Sequence, residues 1–134
     1  MLVWAAGLSI SDITRRRLPN AATLPGAAAI VVVAAACGYL MPALTGALAL
    51  GGIYLAVHVA APAAMGGGDV KLALGLGALT GAFGVEIWVL AALGAPLLTA
   101  AFGVFCLAGR RSATVPHGPS MCAASLAAVA LAVF

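Results

Sequence analysis

The chain has 134 residues, of which 65% are hydrophobic and only 7% are charged. An average soluble domain carries about 25% charged residues. Six basic and three acidic side chains cannot cover the surface of a soluble protein this short. The composition therefore excludes an ordinary soluble domain, a disordered chain and a nucleic-acid-binding protein. It indicates that the lipid bilayer is the main solvent and a partner of the chain.

Long uncharged segments predict the helices. Residues 18–68 carry no formal charge and are too many for one span of about 20 residues, and Gly38 and Pro42 mark a break near the middle. In chain order, the predicted helical segments are residues 1–11, 20–40, 43–63, 72–85, 87–109 and 112–134. The last is expected to be helical only after Pro119, because the Pro-His-Gly-Pro sequence interrupts regular structure. The first is short, so either it continues past Asp12 or the natural start lies upstream.

The basic residues predict the orientation. All six Lys and Arg residues lie in three connecting segments, residues 12–19, 64–71 and 109–118, whereas the alternate connections near 40–42 and 84–86 have none. By the positive-inside rule, the first three segments are cytoplasmic. We therefore expect an all-α, polytopic membrane protein with about six transmembrane helices, forming a single integral-membrane domain over residues 1–134.

Two acidic residues, Asp12 and Asp69, are expected on the cytoplasmic side near membrane level. An acidic residue at the edge of the hydrocarbon is costly and suggests a function. Two carboxylates that approach each other share a proton, and such a pair can activate a water and protonate a leaving amine. Two alternatives remain open. Each aspartate could cap a helix or pair with a basic residue, or both could relay protons in a small proton-coupled transporter.

Three glycines, Gly66, Gly67 and Gly68, directly precede Asp69. Glycine lets a backbone bend tightly and approach a substrate closely, and it permits pairing with an extended peptide. The alternative is a flexible turn between helices. A phosphate-binding loop is a poorer interpretation, because the Walker pattern needs its Lys directly followed by Ser or Thr and Lys71 is followed by Leu72. Lys71 either lowers the pKa of Asp69 or extends its amine toward the membrane surface.

Three motifs resemble the type IV prepilin peptidases, which are GxGD-type aspartyl proteases. Asp12 followed by Arg-Arg-Leu-Pro-Asn at residues 16–20 resembles the first aspartate motif of that family. Gly-Gly-Gly-Asp-Val-Lys-Leu at residues 66–72 is similar to the second. Val-Pro-His-Gly-Pro at residues 115–119 resembles the late Pro-Phe-Gly-Pro element, with His117 in place of Phe.

The resemblance implies an endopeptidase of the bacterial inner membrane whose catalytic dyad is Asp12 and Asp69. It would cleave the short basic leader from a prepilin or pseudopilin precursor at the cytoplasmic face, without a metal or cofactor. The residues implied to bind substrate or shape the site are Pro19, Asn20, Gly66, Gly67, Gly68, Lys71, Pro116, Gly118 and Pro119. His58 and His117 are most simply interpreted as packed, hydrogen-bonded side chains.

The three cysteines form no CxxC pair, which argues against a zinc site. Family members that also N-methylate their product carry paired CxxC motifs. We therefore expect peptidase activity without methyl transfer, as in the short enzymes of tight-adherence (Flp-type) pilus systems. The sequence predicts no particular oligomeric state.

Overall fold

A computed structural model describes residues 2–15, 20–109 and 115–134, and these form six helices with no strand among them. The helices are α1 (Leu2–Arg15), α2 (Asn20–Ala36), α3 (Leu40–Ala60), α4 (Gly67–Ala82), α5 (Val85–Ala108) and α6 (His117–Val133). Long apolar segments rich in Ala and Leu favour this conformation, because a helix satisfies its backbone hydrogen bonds internally. The prediction of an all-α chain is confirmed.

Helix α4 lies at the centre of the bundle. It packs most extensively against α3 and also contacts α2, α5 and α6, while α1 packs mainly on α6. A β-carbon added at Gly77 would lie 2.5 Å from the carbonyl oxygen of Gly46, so the backbones of α3 and α4 touch. Gly75, Gly77 and Gly81 are all buried. Small residues on α4 therefore allow the close helix packing that the sequence suggested.

Two helices, α3 and α5, are long and apolar enough to cross a membrane, and α2 and α6 are shorter apolar helices. Large apolar side chains on α5 face outward, among them Leu97, Val104 and Phe105. Such a surface is unfavourable in water and is compatible with a lipid environment. Length and composition thus support a membrane protein.

Helix α1 extends further than residue 11. It ends at Arg15, so Asp12 lies in its last turn rather than in a connecting segment. Of the two alternatives given for the short first segment, continuation past Asp12 is the one observed. The carboxylate is consequently carried by regular structure, which fixes its direction better than a loop would.

The glycine segment before Asp69 is also more helical than expected. Gly66 has an extended backbone and precedes α4, whereas Gly67, Gly68 and Asp69 form the first helical turn. The interpretation of the three glycines as a loop is therefore wrong for the last two. An acidic residue in the first turn favours helix formation there, because the first N–H groups carry partial positive charge.

Helix α6 begins at His117, so the prediction that this segment is helical only after Pro119 is wrong. Proline is tolerated in a first turn because its missing N–H would have no partner within the helix. The two short turns after α2 and α4 contain Gly38 and Gly84, whose φ angles of 84° and 116° favour glycine. These turns lie at one end of the bundle. The end of α1 and the starts of α2, α4 and α6 meet at the other.

Candidate active site

A cavity of about 590 Å³ lies where the end of α1 meets the starts of α2, α4 and α6. Its lining combines charged and polar groups with backbone. The lining residues are Asp12, Asn20, Ala63, Ala64, Gly66, Gly67, Gly68, Asp69, Lys71, Val115, Pro116 and His117. Two acidic side chains separated by 57 positions in the sequence are thus brought to one cavity.

Asp12 is held by the start of α6. The backbone N–H of Gly118 donates a hydrogen bond to Asp12 Oδ2 at 3.1 Å. A β-carbon at Gly118 would lie 2.5 Å from the same oxygen and 3.1 Å from Asp12 Cγ. Only glycine therefore allows this backbone to approach the carboxylate so closely.

Asp69 lies in the first turn of α4, before the apolar segment that begins at Leu72. Partial burial and, to a smaller extent, the negative charge of Asp12 together raise the pKa of Asp69 to about 6, while a hydrogen bond with the Gly66 backbone acts in the opposite direction. The two carboxyl groups therefore interact electrostatically. Together with burial, this interaction favours the protonated form of Asp69.

The sequence suggested an effect of Lys71 on Asp69, and the structure shows a contact of Lys71 with Asn20. Its Nζ donates a hydrogen bond of 2.6 Å to Asn20 Oδ1, which links the start of α2 to α4 at the rim of the cavity. The pKa of Asp69 is raised rather than lowered. The net lowering that the sequence suggested is therefore not observed, and burial and the charge of Asp12 account for the rise.

Gly66, Gly67 and Gly68 line the cavity and form what we call its glycine wall, which is open at Gly66 and Gly67. A β-carbon at Gly66 would meet no atom closer than 4.0 Å, and one at Gly67 would meet only His58 Nε2, at 3.9 Å. Packing within the chain does not require glycine at these two positions. The residue before them is fixed by His58, whose Nδ1 donates a hydrogen bond of 2.7 Å to the carbonyl oxygen of Met65.

The remaining predicted residues fall into three groups. Pro116 lines the cavity and Gly118 contacts Asp12. Pro119 instead lines a neighbouring apolar groove between α1, α5 and α6. Pro19 lies outside the described residues, as do the basic positions 16 and 17 of the same motif.

Tyr54 and Thr99 were not identified from the sequence, yet both contact His117 beside the cavity. Tyr54 Oη lies 2.9 Å from His117 Nε2, and Thr99 Oγ1 lies 2.6 Å from His117 Nδ1. The interpretation of His117 as a packed, hydrogen-bonded side chain is confirmed. The one sequence signal for this cluster is that His117 occupies the position at which the Pro-Phe-Gly-Pro element of the prepilin peptidases has Phe.

Two carboxyl groups that share a polar cavity, one with a raised pKa, form the arrangement that an aspartyl protease requires. The class of protein that this site suggests is thus a hydrolase of peptide bonds. The chain belongs to the type IV leader peptidase family, whose sequence model matches residues 1–109. No curated protein and no solved structure matched the chain.

The matched segment contains both aspartates and the glycine motif, whereas α6 follows it. The hydrogen bond from Gly118 to Asp12 connects α6 to the matched segment. Membership of a peptidase family favours a protease over the proton-coupled transporter that the sequence left open.

Proposed function

We propose that this chain is an aspartyl endopeptidase of the bacterial inner membrane that removes the leader from a type IV prepilin or pseudopilin precursor. Asp12 and Asp69 are its catalytic residues. The observation that carries the proposal is that both carboxyl groups line one cavity and interact electrostatically there. Family membership supports the reaction class.

The two carboxyl groups differ in a way that suits hydrolysis. Asp12 accepts a hydrogen bond from the Gly118 N–H. It acts as the base and takes a proton from the attacking water. The water oxygen forms a bond to the scissile carbonyl carbon. Asp69, with its pKa raised to about 6, donates its proton to the leaving nitrogen as the C–N bond breaks. The proton held by Asp12 then transfers to Asp69, which restores both carboxyl groups to their starting states.

The open glycine wall is proposed to receive the backbone of the substrate. An added β-carbon at Gly66 or Gly67 would project into free space, so the absence of side chains leaves room for an extended peptide. Asn20 and Lys71 line the same cavity and are joined by their hydrogen bond. Pro116 shapes the cavity wall beside Asp12.

The proposed orientation follows from the basic residues of the connecting segments. Arg15 ends α1, Lys71 lies in α4, and residues 110 and 111 are both Arg. The positive-inside rule assigns this end to the cytoplasm, where a basic leader would precede the apolar helix of the precursor. A peptidase domain with six spans is part of the same proposal. We also propose that it lacks methyltransferase activity, because the chain has no CxxC pair.

The test is cleavage of a panel of prepilins co-expressed with the chain in bacterial membranes. Wild type is expected to shorten at least one precursor, and Asp12→Asn and Asp69→Asn are expected to leave it intact while inserting normally. Glu86→Gln is the matched control, since Glu86 is exposed at the start of α5, at the opposite end of the bundle. Cleavage that survives either aspartate substitution would overturn the assignment.

A further inference from the structure

Three hydrogen bonds determine which nitrogen of His117 carries the proton. The Thr99 hydroxyl has one hydrogen, which it donates to the carbonyl oxygen of Ala95 at 3.0 Å. Thr99 Oγ1 must then accept from His117 Nδ1–H at 2.6 Å. A neutral ring with this proton on Nδ1 satisfies all three hydrogen bonds, because its Nε2 then accepts from the Tyr54 hydroxyl at 2.9 Å.

This cluster joins three helices beside the site. Tyr54 is buried in α3, Thr99 lies in α5, and His117 is the first residue of α6. The rings of Tyr54 and His117 also stack, with centroids 5.7 Å apart and planes at 29°. The start of α6 is therefore anchored on two sides.

The anchored residue is adjacent to the one that holds Asp12. His117 precedes Gly118, whose N–H donates to Asp12 Oδ2. A small rotation at the start of α6 would lengthen this bond or push the glycine α-carbon against the carboxylate, because there is no free space between them. The position of His117 thus sets the position of the group that orients Asp12.

The electrostatic surroundings favour the neutral form. Asp12 of α1 interacts with His117 and raises its pKa, but partial burial lowers the pKa of His117 by more, so the net shift is downward. Tyr54 of α3 contacts the ring and interacts with Asp69 of α4, and α5 supplies the uncharged Thr99.

We propose that neutral His117, held by Tyr54 and Thr99, is a positioning residue that fixes the start of α6 so that Gly118 orients the Asp12 carboxylate in the cavity it shares with Asp69. The proposal rests on the proposed peptidase function for its kinetic consequence. Its structural part is independent of any substrate.

The structural part is tested by NMR on ¹⁵N-histidine-labelled protein in bilayers. The chain has two histidines, so a His58→Asn variant assigns the signals. At about pH 6.5, the ordinary pKa of histidine, His117 is expected to be neutral with its proton on Nδ1. Thr99→Val and Tyr54→Phe are expected to change this signal, and the control Thr45→Val is not, since Thr45 Oγ1 donates only within α3. A charged ring, or a proton on Nε2, would overturn the proposal.

The effect on Asp12 is measured through the Gly118 amide proton, which a carboxylate acceptor deshields. Its resonance is expected to move upfield in Asp12→Asn and also in His117→Phe, which keeps a ring but removes both hydrogen bonds. An unchanged Gly118 resonance in His117→Phe refutes the positioning role. Because no substrate is present, this result stands even if the proposed function fails.

The kinetic consequence separates positioning from substrate contact, since His117 also lines the cavity. His117→Phe is expected to lower kcat by about 10- to 100-fold, the range for a misplaced catalytic group, with KM changed by less than about twofold. A raised KM with kcat unchanged would assign His117 to substrate binding and contradict the proposal. A wild type that cleaves no prepilin would refute the proposed function and leave the two NMR results to decide the structural part.

Discussion

Gly118→Ala is the substitution for which the structure gives the clearest expectation. The new β-carbon would lie 2.5 Å from Asp12 Oδ2, whereas ordinary contact begins at 3.4 Å. The carboxylate oxygen must therefore move by about 0.9 Å, or α6 must withdraw by the same distance. Either movement disturbs the hydrogen bond from Gly118. A misplacement of about 1 Å can reduce turnover by about 100-fold, and we expect a loss of that size in kcat.

The assay is cleavage of a prepilin by purified protein, with thermal unfolding measured in the same detergent. Gly7→Ala is the matched control, because Gly7 also lies in a helix near the site but a β-carbon there meets no atom within 4 Å. It is expected to keep wild-type turnover. Wild-type turnover in Gly118→Ala would refute the argument that this glycine sets the geometry of Asp12.

Three further predictions concern packing, protonation and the cavity rim. Gly77→Ala places a β-carbon 2.5 Å from a backbone carbonyl oxygen of α3, and it is expected to destabilise the fold by about 1–3 kcal/mol. The control is Gly52→Ala, whose β-carbon meets no atom within 4 Å and which is not expected to destabilise the fold. Because the folded-state pKa of Asp69 is raised to about 6 from 3.8, the folded state binds more protons between these values, so stability falls as pH rises through this window. The full shift corresponds to about 3 kcal/mol, and solvent screening of this partly exposed group reduces our expectation to about 1 kcal/mol. Asn20→Ala and Lys71→Met are each expected to lower stability by about 0.5–1 kcal/mol, with the double variant costing no more than either single one.

Each of these is checked by unfolding in detergent. The packing argument is contradicted if Gly77→Ala unfolds at the wild-type temperature. The protonation argument requires that wild type lose more stability than Asp69→Asn when the pH rises from about 4 to 6. Equal losses of stability in the two proteins over this range would refute it. Fully additive effects of Asn20→Ala and Lys71→Met would show that their hydrogen bond contributes nothing.

Motifs in the sequence were sufficient to predict that several of the candidate residues lie at one end of the bundle. Asp12, Asn20, Asp69 and Pro116 all line one cavity, as their placement on one side of the predicted bundle required. The alternation of basic and neutral connections predicted that these residues share one side of the bundle. Hydropathy and charge report on where chain segments lie, and both signals are strong in a chain with so few charged residues.

Local backbone conformation was harder to predict. Three consecutive glycines indicate a loop on propensity alone, yet Gly67 and Gly68 are helical because the following apolar segment packs as a helix against α3. Tertiary packing outweighs local preference there. Helix α1 likewise continues through Asp12 to Arg15, beyond its predicted end at residue 11.

Contacts between distant side chains could not be predicted from spacing. Tyr54, Thr99 and His117 come from three helices, and nothing in a single sequence indicates that a tyrosine in one apolar segment faces a threonine in another. The contact of Gly118 with Asp12 joins residues 106 positions apart. Such contacts depend on helix rotation and depth, which composition does not determine.

The central claim is that Asp12 and Asp69 act together in hydrolysis of a leader peptide. Its most direct test is the turnover of a prepilin by purified wild type, Asp12→Asn, Asp69→Asn and the double variant, with insertion and thermal stability matched. We predict that each single substitution lowers kcat by about 1,000-fold or more and that the double variant loses nothing further, because groups that act as a unit are not additive. Appreciable cleavage by either single variant, or losses that multiply in the double variant, would contradict the account.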